Sequence, residues 1–226
     1  MNMIFRQVSD QNPDSLATRF RRARAKRVVE VIGKIAAEKG SVRILDLGGD
    51  PGYWDRLFDR AFLEASSVHV TTVNPHVWER SADPMFELIE GDACDLPNFA
   101  DDSFDLTHSN SVIEHVGDWK KMEAFARESR RLAPRYYVQT PYFWFPIEPH
   151  FSAVGFQWMP EQMRAKALLK RKHGWSDKAE DMGAAMRDVQ DARLLDKAQF
   201  RFLFPDAAYP DETVAGFTKS LVAIRS

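Results

Sequence analysis

The stretch Val42-Arg-Ile-Leu-Asp-Leu-Gly-Gly-Asp-Pro-Gly-Tyr-Trp54 constrains this chain more than any other. An apolar run, Ile44, Leu45 and Leu47, ends in glycines and passes into a helical pattern from Tyr53 to Leu63. Such a pattern reads as a buried strand turning tightly into a helix. Glycines at the turn remove Cβ atoms, so a ligand can press against the backbone, and the helix start offers free N–H groups. Asp46, an acid inside the strand, adds a charge near the same mouth. The stretch predicts a site for a nucleotide-like molecule.

A chain of 226 residues, 44% hydrophobic and 28% charged, is long enough for one large domain with a real core. The formal net charge of −2 gives no reason to expect a nucleic-acid partner. Cys94 is the only cysteine, so no disulfide can form within the chain and a reducing, cytoplasmic setting fits. No apolar run approaches the ~20 residues that span a bilayer, so stable membrane insertion is not expected. The first residues, Met1 to Gln7, show no signal-peptide pattern. A basic stretch, Arg19, Arg21, Arg22, Arg24, Lys26 and Arg27, precedes Val28, Val31, Ile32 and Ile35. It reads as the start of an amphipathic helix within an N-terminal helical segment over 1–40. The basic residues suit a solvated face first; an anion contact at the ligand or a membrane-surface contact are lesser readings.

Strand and helix patterns then alternate. Ser67–Val73, Phe86–Glu90, Phe104–His108 and Arg135–Thr140 read as strands, and Trp119–Leu132 as a helix. Strands alternating with helices indicate βαβ units in a doubly wound, mostly parallel sheet. Residues 141–160 break the pattern with four prolines and seven aromatics. Pro160–Lys172 predicts a helix with proline at its start. Lys178–Leu195 suits a helical cap or an excursion. Phe200–Phe204 and Lys219–Arg225 are apolar runs expected to complete the sheet. The expectation is one domain over 1–226, with a loop and cap inserted at 141–200.

The glycine turn has company. The second strand ends at Asn74, 22 residues beyond Gly52, where nucleotide-binding α/β folds place a ribose-contacting side chain. The third ends in Gly91-Asp92-Ala93, and the fourth runs into Ser109-Asn-Ser-Val-Ile-Glu-His115. All fall at the carboxyl edge of a parallel sheet, where such folds bind ligands. With these motifs in this order, the chain resembles class I S-adenosylmethionine (SAM) dependent methyltransferases, nearest the small-molecule, ubiquinone-biosynthesis-type branch. The resemblance covers residues 40–150, together with 204–207 and 219–225.

It implies a Rossmann-like, doubly wound seven-stranded sheet with an antiparallel final strand, and SAM as cofactor. By position, Asp46, Gly48, Gly49 and Gly52 would wrap the methionine part of SAM. Asn74 would meet the ribose, Asp92 the adenine amino group with Ala93 beside the ring, and Ser109 and Asn110 would border the sulfonium. Two positions depart from the family pattern: Asp50 stands where its middle glycine belongs, and Asn74 where an acid holds the ribose. Asn74 can still accept one hydrogen bond and donate another, without charge assistance. Asp50 either points outward or sets a second carboxylate near that of SAM.

Methyl transfer is an in-line displacement, so positioning supplies much of the acceleration, and a base serves only a protonated nucleophile. Glu114-His115 follows the fourth strand and is the first candidate base; the alternative is that His115 packs or caps the next helix. Glu148-Pro149-His150 is the second, with an equally good reading as a loop anchor. Neither Glu148-x-His150 nor the lone Cys94 has zinc-ligand spacing, so no metal is expected. The sequence thus predicts a SAM-dependent methyltransferase acting on an oxygen or nitrogen of a small or medium acceptor, such as a natural product or a sugar or polysaccharide precursor. It leaves room for a homo-oligomer. The rival reading is a SAM-binding protein whose site has decayed and does not turn over.

Overall fold

The structure is a computed structural model that describes residues 16–77, 81–174 and 176–226. Met1 to Gln7 and the Arg19 side chain lie outside the described residues, as does the rest of 1–15. Helix α1, Leu16–Lys39, buries Val28, Val31, Ile32 and Ile35. Of its basic residues, Arg22 and Lys26 face outward, whereas Arg24 is buried.

Strand β1 (Val42–Leu47) is followed by α2 (Pro51–Leu57), α3 (Arg60–Ala65), β2 (Val68–Asn74), β3 (Phe86–Glu90) and β4 (Leu106–Asn110). Next come α4 (Trp119–Arg131), β5 (Tyr136–Pro141), the two-residue strands β6 (Ile147–Glu148) and β7 (Ala153–Val154), and α5 (Glu161–Lys170). Helices α6 (Met182–Gln190) and α7 (Lys197–Leu203) and strands β8 (Glu212–Val214) and β9 (Phe217–Arg225) close the chain. The seven-stranded sheet runs β3-β2-β1-β4-β5-β9-β8. β1 pairs in parallel with β2 and β4, and β2 with β3, while β8 and β9 pair antiparallel. This is the doubly wound, mostly parallel sheet with an antiparallel end that the alternation predicts.

Three expectations shift. The single helix over 53–63 is two, because Phe58 turns extended and the Asp59 side chain caps α3 by accepting from Ala61 N. The fourth strand begins two residues later than predicted, at Leu106. The run Phe200–Phe204 is no sheet strand but lies in and just beyond α7. There Asp196 and Gln199 form a reciprocal capping box, while Phe200 and Leu203 face inward at helical spacing.

The chain divides into two compact units. The first comprises, among the described residues, 16–109, 128–137 and 225–226, and contains the glycine turn. Its sheet interior is built from Ile44, Leu45, Leu47, Val70, Val73 and Leu106. The second comprises 110–127 and 138–224. Within it, Phe151, Phe156, Ala165, Leu168, Ala185 and Val189 make a small core of their own. Among the described residues, no helix is long and apolar enough to cross a membrane.

Candidate active site

In the first unit, the turn between β1 and α2 is held from beneath by a buried polar cluster. The Asp46 carboxylate accepts from Trp54 Nε1 at 2.7 Å through one oxygen and meets His108 Nδ1 at 2.7 Å through the other. Trp54, His108 and Asp46 are all at most 1% exposed. His108 stacks on Tyr137, and its Nε2 lies 3.5 Å from the Tyr53 hydroxyl. Burial, then Tyr137 and the Asp46 charge, push the Tyr53 pKa well up, so that hydroxyl stays protonated. Asp46 therefore fixes the turn from inside, with each carboxylate oxygen already holding a partner.

The glycines answer that packing. Gly48 has φ of +78°, the left-handed region, and its N–H donates to Val73 O at 2.8 Å. A Cβ on Gly49 would lie 1.8 Å from Asp46 Oδ2, so no side chain fits there. Gly52 is the second residue of α2, next to Pro51. Asp50 is the N-cap of α2, and its Oδ1 accepts from Tyr53 N at 3.1 Å. The acid in the glycine position is thus a helix cap.

Asn74, at the end of β2, donates through Nδ2 to Gly49 O at 2.8 Å. It clasps the turn with its donor, and its amide oxygen takes no hydrogen bond among the described residues. Asp92 is exposed just after β3, and its carboxylate accepts from Cys94 N at 2.9 Å in a tight turn, with Ala93 between them. Ser109 is buried, and its hydroxyl donates to Leu47 O at 3.1 Å, tying β4 to β1. Asn110, half-buried, ends β4 and begins the second unit. Six predicted positions, Asp46, Gly48, Gly49, Gly52, Asn74 and Ser109, thus lie on the turn or on the strand ends that hold it.

In the second unit, Glu114 and His115 lie in a short 3-10 turn, Ile113–His115, that follows β4. His150 comes from the loop after β6. The three converge: one ligand-capable atom from each of Glu114, His115 and His150 lies within 4.8 Å of the other two. The two imidazole rings meet edge to face at 5.0 Å. His115 Nδ1 lies 3.1 Å from Asp191 O and 3.2 Å from Asp191 Oδ2, and His150 Nδ1 lies 2.7 Å from Glu148 Oε1. Burial alone would lower the His115 pKa, but the Asp191 hydrogen bond and the Glu114 charge outweigh it and leave it raised. Glu114 is fully buried; Oε2 accepts from Thr140 Oγ1 at 2.9 Å, and Oε1 has no hydrogen-bond partner among the described residues.

A cavity in the same unit is lined by Phe143, Glu148, Gln157, Arg164 and Arg193, among others. Gln157 donates to the carbonyls of Phe143 and Phe145, at 3.1 and 2.6 Å, while its buried Oε1 has no partner among the described residues. Arg164 Nε is likewise buried without one. Gln157 and Arg164 line the cavity as residues, while these two atoms are themselves enclosed in the surrounding structure.

Residues 45–135 match the family model described as a methyltransferase domain. No curated protein matches the chain. Among solved structures, it is similar to a SAM-dependent methyltransferase of Methanosarcina mazei, at 13% identity and a TM-score of 0.48, over 82% of this chain and 92% of that one. It is similar also to the 1,6-didemethyltoxoflavin N1-methyltransferase of Burkholderia thailandensis with 1,6-didemethyltoxoflavin and S-adenosylhomocysteine bound (13%, TM-score 0.49, 90% and 77%). A third is the magnesium protoporphyrin IX methyltransferase of Synechocystis with S-adenosylhomocysteine bound (12%, TM-score 0.45, 94% and 88%).

Both units contain supporting residues that the sequence motifs pass over. Trp54 and His108 hold Asp46, and their signal was a polar histidine inside an otherwise buried strand. Asp191, which holds His115, lies 76 residues away in an unremarkable polar stretch and has no local signal.

Proposed function

We propose that the protein transfers a methyl group from SAM to an oxygen or nitrogen of a small or medium-sized acceptor. The observation that carries this is the β1–α2 turn, with glycine at 48 and 49 and braced by Asp46, Trp54, His108 and Asn74, within the stretch that matches a methyltransferase domain. Backbone approach at these glycines, the free amide oxygen of Asn74 and the exposed Asp92 suit the methionine, ribose and adenine parts of SAM. Ala93, Ser109 and Asn110 complete the set, with Ser109 acting through its position in β4. SAM supplies a sulfonium-bound methyl group; the chain's part is to orient it and exclude water.

The acceptor belongs to the second unit in this reading. Arg164 and Arg193 belong to the cavity lining, and their guanidinium groups suit an acceptor that carries a carboxylate, phosphate or carbonyl beside its methylated O–H or N–H. Phe143 supplies an apolar wall for its body. Glu114, His115 and His150 are the proposed catalytic residues. Each imidazole turns Nδ1 toward a carboxylate, so Nε2 carries a lone pair. Together with Glu114 Oε1 they favour the positive charge released as an O–H or N–H nucleophile takes the methyl group.

Incubation with SAM labelled in its methyl group, against hydroxylated or amino-bearing acids, tests transfer. The wild type is expected to label such an acceptor, and His115→Ala/His150→Ala to bind SAM while losing transfer by about 100-fold or more. Undiminished transfer by that double variant would remove the catalytic role of the histidines.

A further inference from the structure

We propose that Glu114, His115 and His150 form a binding site for a divalent transition-metal ion, with zinc the best-suited occupant. The inference stands on the side-chain cluster; an ion held there takes the lone pairs that the proposed base role uses, so the ion-bound and proton-accepting forms exclude one another.

Three observations point the same way. One ligand-capable atom from each residue lies within 4.8 Å of the others. Ligands at about 2.1 Å from a tetrahedral zinc ion are about 3.4 Å apart, so a closure of at most about 1.4 Å would bring three such atoms onto one ion. Each histidine has its Nδ1 against an oxygen acceptor, Asp191 for His115 and Glu148 for His150. That contact places the proton of the neutral imidazole on Nδ1, which leaves Nε2 as the lone pair that an ion would take. Neither Nε2 takes a hydrogen bond among the described residues. A carboxylate behind each ligating histidine is the arrangement that orients and strengthens imidazole ligands.

The third observation is Glu114 Oε1, a buried carboxylate oxygen with no hydrogen-bond partner among the described residues. Burying such an oxygen without a donor is costly, and a cation would remove the cost. The site gathers lone pairs and no donor, so it selects a cation over an anion. Two imidazoles and one carboxylate with a further position open match the ligand chemistry of catalytic zinc sites. The sequence hides this set, since 35 residues separate His115 from His150. Glu148, the carboxylate adjacent to His150 in sequence, stands behind it rather than beside the ion.

The test uses the whole, tag-free chain, stripped of metal by chelator and titrated with Co²⁺ and with Zn²⁺ in competition with a chelator. One equivalent per chain is expected, with the visible absorption of low-symmetry Co²⁺ bleached by Zn²⁺. Glu114→Gln, His115→Ala and His150→Ala should each weaken binding by at least tenfold. Asp191→Asn changes an exposed positioning residue and should leave the fold intact by circular dichroism, yet weaken binding by about tenfold. His69→Ala, outside the cluster, should bind as the wild type does. No saturable binding by folded wild-type protein, or binding indifferent to all four cluster and positioning variants, would overturn the site. S-adenosylhomocysteine binding measured on the same samples reports the cofactor reading separately.

Discussion

At the scale of residues, the cofactor turn depends on a few buried polar contacts. Asp46→Ala would leave Trp54 Nε1 and the His108 imidazole without their shared acceptor. Two buried donors left unpaired predict a loss on the order of 3 kcal/mol, read from urea unfolding. Asn74 invites a less obvious test. The family pattern would place an acid there, yet Nδ2 donates to Gly49 O. Asn74→Asp removes that donor and sets a carboxylate oxygen against a carbonyl. The prediction is weaker S-adenosylhomocysteine binding, by roughly the tenfold that one lost hydrogen bond allows; tighter binding would show that ribose contact outweighs the clasp. Asp105 sets a pH dependence. Burial would raise its pKa, but the Lys39 hydrogen bond and the Arg43 N–H outweigh that and hold it below the usual carboxylate range. A depressed folded pKa contributes stability above its unfolded value near 4, and that stability is lost as pH falls through the folded value. Asp105→Asn should therefore flatten the acid limb of stability against pH.

At the scale of elements, caps decide where sequence reading succeeds. Asp50 departs from the glycine pattern because α2 has only seven residues and uses it as an N-cap, with Pro51 next. Asp50→Ala should cost about 1 kcal/mol, whereas Asp50→Gly, which restores the family pattern, should cost a few tenths in thermal unfolding. A similar device explains Phe200–Phe204. Five residues with three phenylalanines satisfy strand spacing as readily as helix spacing, and the Asp196–Gln199 capping box resolves it in favour of α7. The break at Phe58–Asp59 is likewise a cap, readable once Asp59 is seen to start α3. Strands β2 and β3 were legible within a residue because β-branched and apolar runs bounded by polar turns leave little choice of register.

At the scale of the whole molecule, the alternation of strands and helices was enough to anticipate the sheet. Local contacts within and between neighbouring βαβ units carry that information along the chain. The second unit was harder to read. Its cap core joins Phe151 and Phe156 to residues of α5 and α6, and Glu114, His115 and His150 converge with help from Asp191. Those contacts span 35 to 76 residues with no repeating spacing to announce them. The central claim is that the β1–α2 turn holds SAM, and a calorimetric titration of the purified chain with S-adenosylhomocysteine tests it most directly. Saturable one-to-one binding in the wild type is predicted, weakened at least tenfold by Gly49→Val, whose side chain would meet Asp46. Absence of binding to folded wild-type protein, or binding unchanged in a folded Gly49→Val variant, would contradict it.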